Sequence, residues 1–308
     1  MAVFETVLQM MAMVALGAFW RWRQPGRVPV GQLRSAIAEL VYNLLLPALV
    51  LRVLWQAELG LQSLAISAVA ASGILTAMAV AMFVCRRCGI AEPLAGAAIL
   101  AATLGNFTYI GLPVLIAVFG DWAAGIAIQY DLFASTPLLF TVGILLASRY
   151  GQVQEAIHPL RRLAAIPPLW AALLAVVLNL AGVPLAAGLN KVLTYLGSGV
   201  VPLMLLAVGM NLEWRGLDRA RIGPLVMVLV VQLLLMPLVV WGVSGPLGFR
   251  GELRLALVLE AAMPSMVLGI VLCEHFRLDT AFYAAAVTVS TILGLVTLPA
   301  WYLMLGGG

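Results

Sequence analysis

Two acids, Asp131 in the run QYD and Glu260 in LVLEAAMP, stand in stretches that are otherwise almost wholly apolar. A carboxyl group in such surroundings has two obvious chemistries: it takes up a proton, or it ligates a hard cation, which prefers oxygen. Neutral hydrogen-bonding groups accompany them at positions that weaken helices. TLGNFTYIGLP at 103–113 places Thr103, Gly105, Asn106, Thr108, Tyr109, Gly111 and Pro113 in one apolar run, and LEAAMPSMVLG places Pro264 and Ser265 just after Glu260. Tyr42 and Asn43 similarly precede Pro47. Neutral donors suit a carboxylate ligand that must also leave. Each group has a blander reading: serine and threonine join helices, proline kinks them, and Asp131 caps loosened backbone.

The elements that position these residues follow from composition. Of 308 residues, 64% are hydrophobic and 10% charged, and the mean hydropathy is +1.09. That is far outside the usage of soluble domains. A spanning helix needs about 20 mostly apolar residues, and the charged and Pro/Gly-rich punctuation cuts the chain into ten such segments, near 3–20, 36–54, 63–84, 93–119, 122–147, 164–181, 189–211, 220–242, 253–273 and 281–304. Membrane-spanning strands alternate over about ten residues, whereas these runs are continuous, so the expected class is an all-α membrane protein. Within it Glu260 lies about 10 Å and Asp131 about 13 Å along their segments, at 1.5 Å per residue. An ionisable group at that depth is a functional candidate by default.

Lysine and arginine divide unevenly between the two sides. The loops after the odd-numbered segments hold 13 of the 17, and the other side holds Arg52, Lys191, Arg250 and Arg254. The richer side is expected in the cytoplasm, which puts both termini in the periplasm of a bacterial inner membrane; arginine's dominance over a single lysine suggests a GC-rich bacterial genome. The net charge of +4 is thus a matter of topology and gives no support to a nucleic-acid partner. Cys85 and Cys88 form CRRC without the second pair or histidine that a zinc site needs. His158 and His275 fall in loops, and phosphate-loop, zinc-protease and GxSxG patterns are absent. Nothing here argues for an enzyme or an organic cofactor.

The sequence also repeats. YNLLLPALVL lies on LGSGVVPLMLL with Pro47 on Pro202, and ASTPLLFTVGILL lies on VSTILGLVTLPAW with Ser135 and Thr136 on Ser290 and Thr291, both at an offset of 155. At 158, Asn106 meets Pro264 and Gly111 meets Gly269. Five segments per copy is odd, so the copies, 1–150 and 151–308, enter the membrane from opposite sides. Inverted repeats with interrupted helices in corresponding positions characterise secondary transporters. The fourth and ninth segments are therefore expected to be broken, crossing helices, each second half opening with free N–H groups and a partial positive charge.

YNLLLPAL at 42–49, GNFTYIGLP at 105–113 and the stretch from Glu260 to Pro299 resemble the auxin efflux carrier family, which includes the plant PIN-FORMED carriers and bacterial organic-acid permeases. The resemblance covers essentially the whole chain. It implies two inverted five-helix repeats that together build a scaffold and a transport domain, and a small organic carboxylate moved by an elevator-like shift, with homodimerisation through the scaffold. Plant members carry proline at both crossing points; Asn106 replaces one here, so the plant auxin pocket does not carry over unchanged. The bile acid sodium symporters resemble the chain more distantly and also carry a glutamate before the second break.

On this reading Asn43, Thr103, Asn106, Thr108, Tyr109, Pro264 and Ser265 bind an organic anion. Glu260 and Asp131 couple its movement to Na⁺ or a proton, with Na⁺ near Glu260. Gly105, Asn106, Gly111, Pro113 and Pro264 make the breaks. The competing readings are a sodium-coupled symporter of a larger steroid-like or keto-acid substrate, and a channel or sensor on the same fold.

Overall fold

The computed structural model describes residues 2–57, 60–152, 166–211 and 219–306. His158, Arg161, Arg162 and Arg215, all assigned to cytoplasmic loops, lie outside them. The described chain is helical, with no strand beyond one isolated bridge. In chain order the helices are α1 (Ala2–Arg23), α2 (Val30–Trp55), α3 (Leu61–Arg87), α4 (Glu92–Thr103), α5 (Phe107–Phe119), α6 (Asp121–Tyr150), α7 (Pro167–Leu180), α8 (Ala187–Met210), α9 (Arg219–Ser244), α10 (Gly251–Ala261), α11 (Gly269–Phe276) and α12 (Thr280–Met304). Six of these, α2, α3, α6, α8, α9 and α12, are long and apolar enough to cross a membrane, while α4, α5 and α7 are shorter and equally apolar.

Four prolines inside helices are accompanied by a local widening, though Pro299 within α12 is not. Proline lacks an N–H and pushes away the carbonyl four residues earlier. Four of the five π turns among the described residues, Val41–Leu45, Phe107–Gly111, Asp131–Ser135 and Val231–Leu235, end two residues before a proline: Pro47, Pro113, Pro137 and Pro237. The wider turn relieves the clash and re-pairs the carbonyl without leaving the helix, an adjustment that lipid-embedded helices tolerate.

Helix ends are fixed more firmly. The Asp279 side chain caps α12 by accepting the Phe282 N–H at 3.0 Å, and it also pairs with Arg221 at 2.9 Å. Gly120, at φ 92°, ends α5 in a conformation that side chains resist.

The helices associate in two groups. In one, α1 lies against the second half of α8, from Val200, and α7 against Leu46–Trp55 of α2. In the other, α4 is wrapped by α3, α9 and α12, with α6 and α10 beside them. Every residue of α4 from Ala95 to Thr103 is buried, and six of those nine are Ala or Gly. Small residues let neighbouring helices approach closely on all sides.

The same device joins α1 to α8. A side chain on Gly209 would overlap the Val14 carbonyl and lie 2.9 Å from the Gly17 Cα. Gly209→Val should therefore lower thermal stability in detergent by the roughly 1–3 kcal/mol typical of overpacking. Gly242→Ala, where an added Cβ meets nothing within 4 Å, should leave the melting temperature unchanged or slightly raised.

Candidate functional site

α4 stops at Thr103 and the chain resumes as α5 at Phe107; α10 stops at Ala261 and resumes as α11 at Gly269. The two interruptions lie against each other. Gly105 and Ser265 face one another in an antiparallel bridge, the Asn106 N–H donates to the Pro264 carbonyl at 2.7 Å, and the Met266 N–H donates to the Leu104 carbonyl at 2.8 Å. Backbone released by each break is thus partly paired by the other, as a dry interior requires.

Side chains take up the remainder. The Ser265 N–H donates to Ser290 Oγ at 3.1 Å, and Ser265 Oγ donates to the Ala101 carbonyl at 2.6 Å. The Tyr283 hydroxyl donates to the Met266 carbonyl at 2.9 Å, and Gln232 Nε2 to the Met263 carbonyl at 2.7 Å.

One face of the crossing borders a cavity of about 60 Å³. Tyr42 of α2, Asn106 at the break, Thr108 and Tyr109 of α5, and Asp131 and Thr136 of α6 supply its polar lining. None of the described residues that line it is Lys, Arg or His. Asn106 is 4% exposed; its Oδ1 accepts the Tyr109 N–H at 3.2 Å, capping α5, while its Nδ2 has no partner. The Phe107 and Thr108 N–H groups open α5, where the first amides have no acceptor within the helix. Asp131 accepts from the Thr108 hydroxyl and from Thr136 Oγ1, the latter at 3.3 Å. This corner of the structure offers hydrogen-bond donors, a helix N-terminus and one carboxyl group.

Glu260 sits apart from that cavity, fully buried, and neither of its carboxyl oxygens has a hydrogen-bond partner. It is pressed against Gly111: a Cβ there would lie 2.5 and 2.6 Å from the two oxygens, so the close approach needs glycine. Tyr130 interacts electrostatically with Glu260, and its ring lies tilted against Phe107 with centroids 4.7 Å apart. The Tyr130 hydroxyl and Gln232 Oε1 are also buried and unpartnered. Buried oxygens without donors are what a proton or a hard cation satisfies.

Most of the residues singled out from the sequence fall into two sets. Asn106, Thr108, Tyr109, Asp131 and Gly105 line the cavity. Thr103, Pro264 and Ser265 belong to the crossing itself: Thr103 Oγ1 turns back to the Ile99 carbonyl at 2.8 Å, Pro264 borders an apolar cleft beside Thr291 and Gly294, and both polar groups of Ser265 hold backbone. Pro113 is the second residue of the regular part of α5, directly after its π turn. Asn43 is the exception to the expected grouping. It is exposed, outside the cavity, and donates to the Glu39 carbonyl at 2.9 Å.

Gln129, Tyr130 and Gln232, all buried, did not stand out in the sequence, since a lone glutamine or tyrosine in an apolar run reads as packing. Ser290 and Thr136 read the same way, yet one supports the second break and the other holds Asp131. Cys85 is buried and Cys88 exposed, and neither forms a disulfide.

A family model described as "Membrane transport protein", that of the auxin efflux carriers, matches residues 2–302. The chain belongs to this family. A relative named "Uncharacterized transporter" from Methanothermobacter thermautotrophicus is 34% identical over 309 residues, covering 98% of each chain. "Uncharacterized transporter MJ1031" of Methanocaldococcus jannaschii is 28% identical over 212 residues, 67% of each chain. "Uncharacterized transporter YfdV" of Escherichia coli K12 is 24% identical over 214 residues, 67% of this chain and 68% of its own. The paired breaks therefore lie in a protein of a membrane transporter family, and the apolar helices around them are those of an integral membrane protein.

Proposed function

We propose that the chain is a secondary transporter of a small organic anion, which it carries by an elevator-type movement of the helix group containing the crossing against the group containing α1, α2, α7 and α8. In this reading the helices form ten spans in two inverted repeats, 1–150 and 151–308, with both termini in the periplasm and the first group serving as scaffold and dimer contact. The observation that carries it is the unpartnered Asn106 Nδ2 at the N-terminus of α5, at a break paired with a second break. A carboxylate placed there receives charge-assisted hydrogen bonds without meeting a fixed cation that would hold it too tightly.

Glu260 and Asp131 are the coupling groups. The Glu260 carboxyl oxygens, which have no hydrogen-bond partner, take a proton or ligate Na⁺. A cation bound there would neutralise a carboxylate packed against Gly111 and so link ion occupancy to the position of α5. The cavity's volume favours a substrate of a few heavy atoms over a steroid-like one.

Uptake into proteoliposomes tests this reading. Radiolabelled small carboxylates should show saturable counterflow that responds to a Na⁺ or proton gradient. Flux that never saturates would identify a pore instead. Topology has its own check: a reporter fused after Gly308 should be active only in the periplasm, and cytoplasmic activity would invert the arrangement.

A further inference from the structure

The crossing cavity raises a problem of charge. Its cargo, on the reading above, is a carboxylate, yet its lining holds no Lys, Arg or His among the described residues and one carboxyl group, Asp131. Asp131 touches no cation among the described residues; its partners are the hydroxyls of Thr108 and Thr136. The ionisable groups facing it from other elements are Tyr42 of α2, Tyr109 of α5 and Glu260 of α10, none of them cationic. α3 also packs against this part of α6. Its ionisable residues, Cys85, Arg86 and Arg87, lie at least twelve residues beyond Gly73, which faces the Tyr130 hydroxyl. That is a distance of about 18 Å along the helix. α7 packs there as well and has no ionisable residue.

Two carboxylates that share a site cannot both stay ionised; they hold one proton between them. We propose that the cavity accepts its carboxylate cargo together with one proton, shared between the cargo and Asp131. This deepens the organic-anion reading and rests on it. The charge balance is simple: one anion and one proton enter from the same side and leave on the other, so the filled cavity carries the same net charge as the empty one. Thr108 and Thr136 suit the exchange, because a hydroxyl donates to an ionised Asp131 and accepts from a protonated one.

The proposal also assigns specificity. A cavity of about 60 Å³ holds on the order of four to six waters, so acids of about six or seven heavy atoms are the probes nearest its size. Three-carbon acids differing only in the far group make the discriminating probes: 3-hydroxypropionate, malonate, and β-alanine, whose ammonium would pair with an ionised Asp131.

The test uses the full chain in proteoliposomes, corrected for protein-free vesicles, with an internal pH dye and a clamped membrane potential. 3-Hydroxypropionate should enter with one proton, insensitive to potential, and its affinity should fall about tenfold per pH unit once the shared proton is lost. Asp131→Asn is nearly isosteric. It should make this flux independent of pH and sensitive to potential. The proton count in the parent protein needs no variant, so misfolding of Asp131→Asn would not remove the test.

Selective flux of β-alanine, or 3-hydroxypropionate flux without protons, would overturn the shared proton while leaving carboxylate transport standing. Flux of none of the three acids would reject both the anion reading and the proposal built on it.

Discussion

Asn106→Ala should weaken substrate binding by about ten- to a hundredfold, at every pH and Na⁺ concentration. The substitution removes the Nδ2 donor that has no partner within the protein, together with the Oδ1 cap on the Tyr109 N–H. A hydrogen bond to a charged group contributes roughly 1.5–3 kcal/mol, and about 1.4 kcal/mol is a factor of ten in affinity. The Asn106 backbone N–H, which joins the two breaks, is retained by alanine. The protein should therefore fold, and titration of the purified variant with the transported acid should show the loss as a raised Kd. An unchanged Kd would remove Asn106 from the site.

Glu260 should behave differently. Glu260→Gln keeps the shape of a side chain that has no exposure and no hydrogen-bond partner, so the variant should fold while its transport loses any dependence on a Na⁺ gradient and retains exchange with the proton that Asp131 carries. Gly111→Ala should be more severe, because the new methyl would occupy the space of the Glu260 carboxyl oxygens and force either α5 or the glutamate to move. The two variants form a pair that distinguishes chemistry from packing. If the glutamine variant still follows a Na⁺ gradient while the alanine variant fails, Glu260 is a packing element and coupling lies elsewhere. Flux measured with and without imposed Na⁺ and pH gradients gives the answer.

Much of this arrangement was legible in the sequence, because lipid punishes irregular backbone. Gly105, Asn106 and Pro264 stand out only because their neighbours are apolar, and the structure puts those residues into the two paired interruptions. Asp131 and Glu260 were visible for the same reason. What could not be read was rotational phase. The sequence grouped Asn43 with Tyr42, but neighbouring residues of a helix point about 100° apart, and the apolar run around them does not say which one faces inward. Tyr42 faces the cavity, whereas Asn43 is exposed and bonds back to Glu39.

Gln232 and Tyr130 were hidden by a different cause. Their importance comes from long-range contact with the second break and with Glu260, and no local pattern encodes such contact.

The central claim, that the cargo carboxylate is held at the crossing, is tested most directly by counterflow of one transported acid in the parent protein, Asn106→Ala and Asn43→Ala, side by side in proteoliposomes. Both substitutions delete an asparagine amide from an apolar stretch, but only Asn106 lines the cavity. The account predicts that the half-saturation concentration rises about ten- to a hundredfold for Asn106→Ala and stays at the parent value for Asn43→Ala. Equal behaviour of the two variants, or a loss confined to Asn43→Ala, would contradict it.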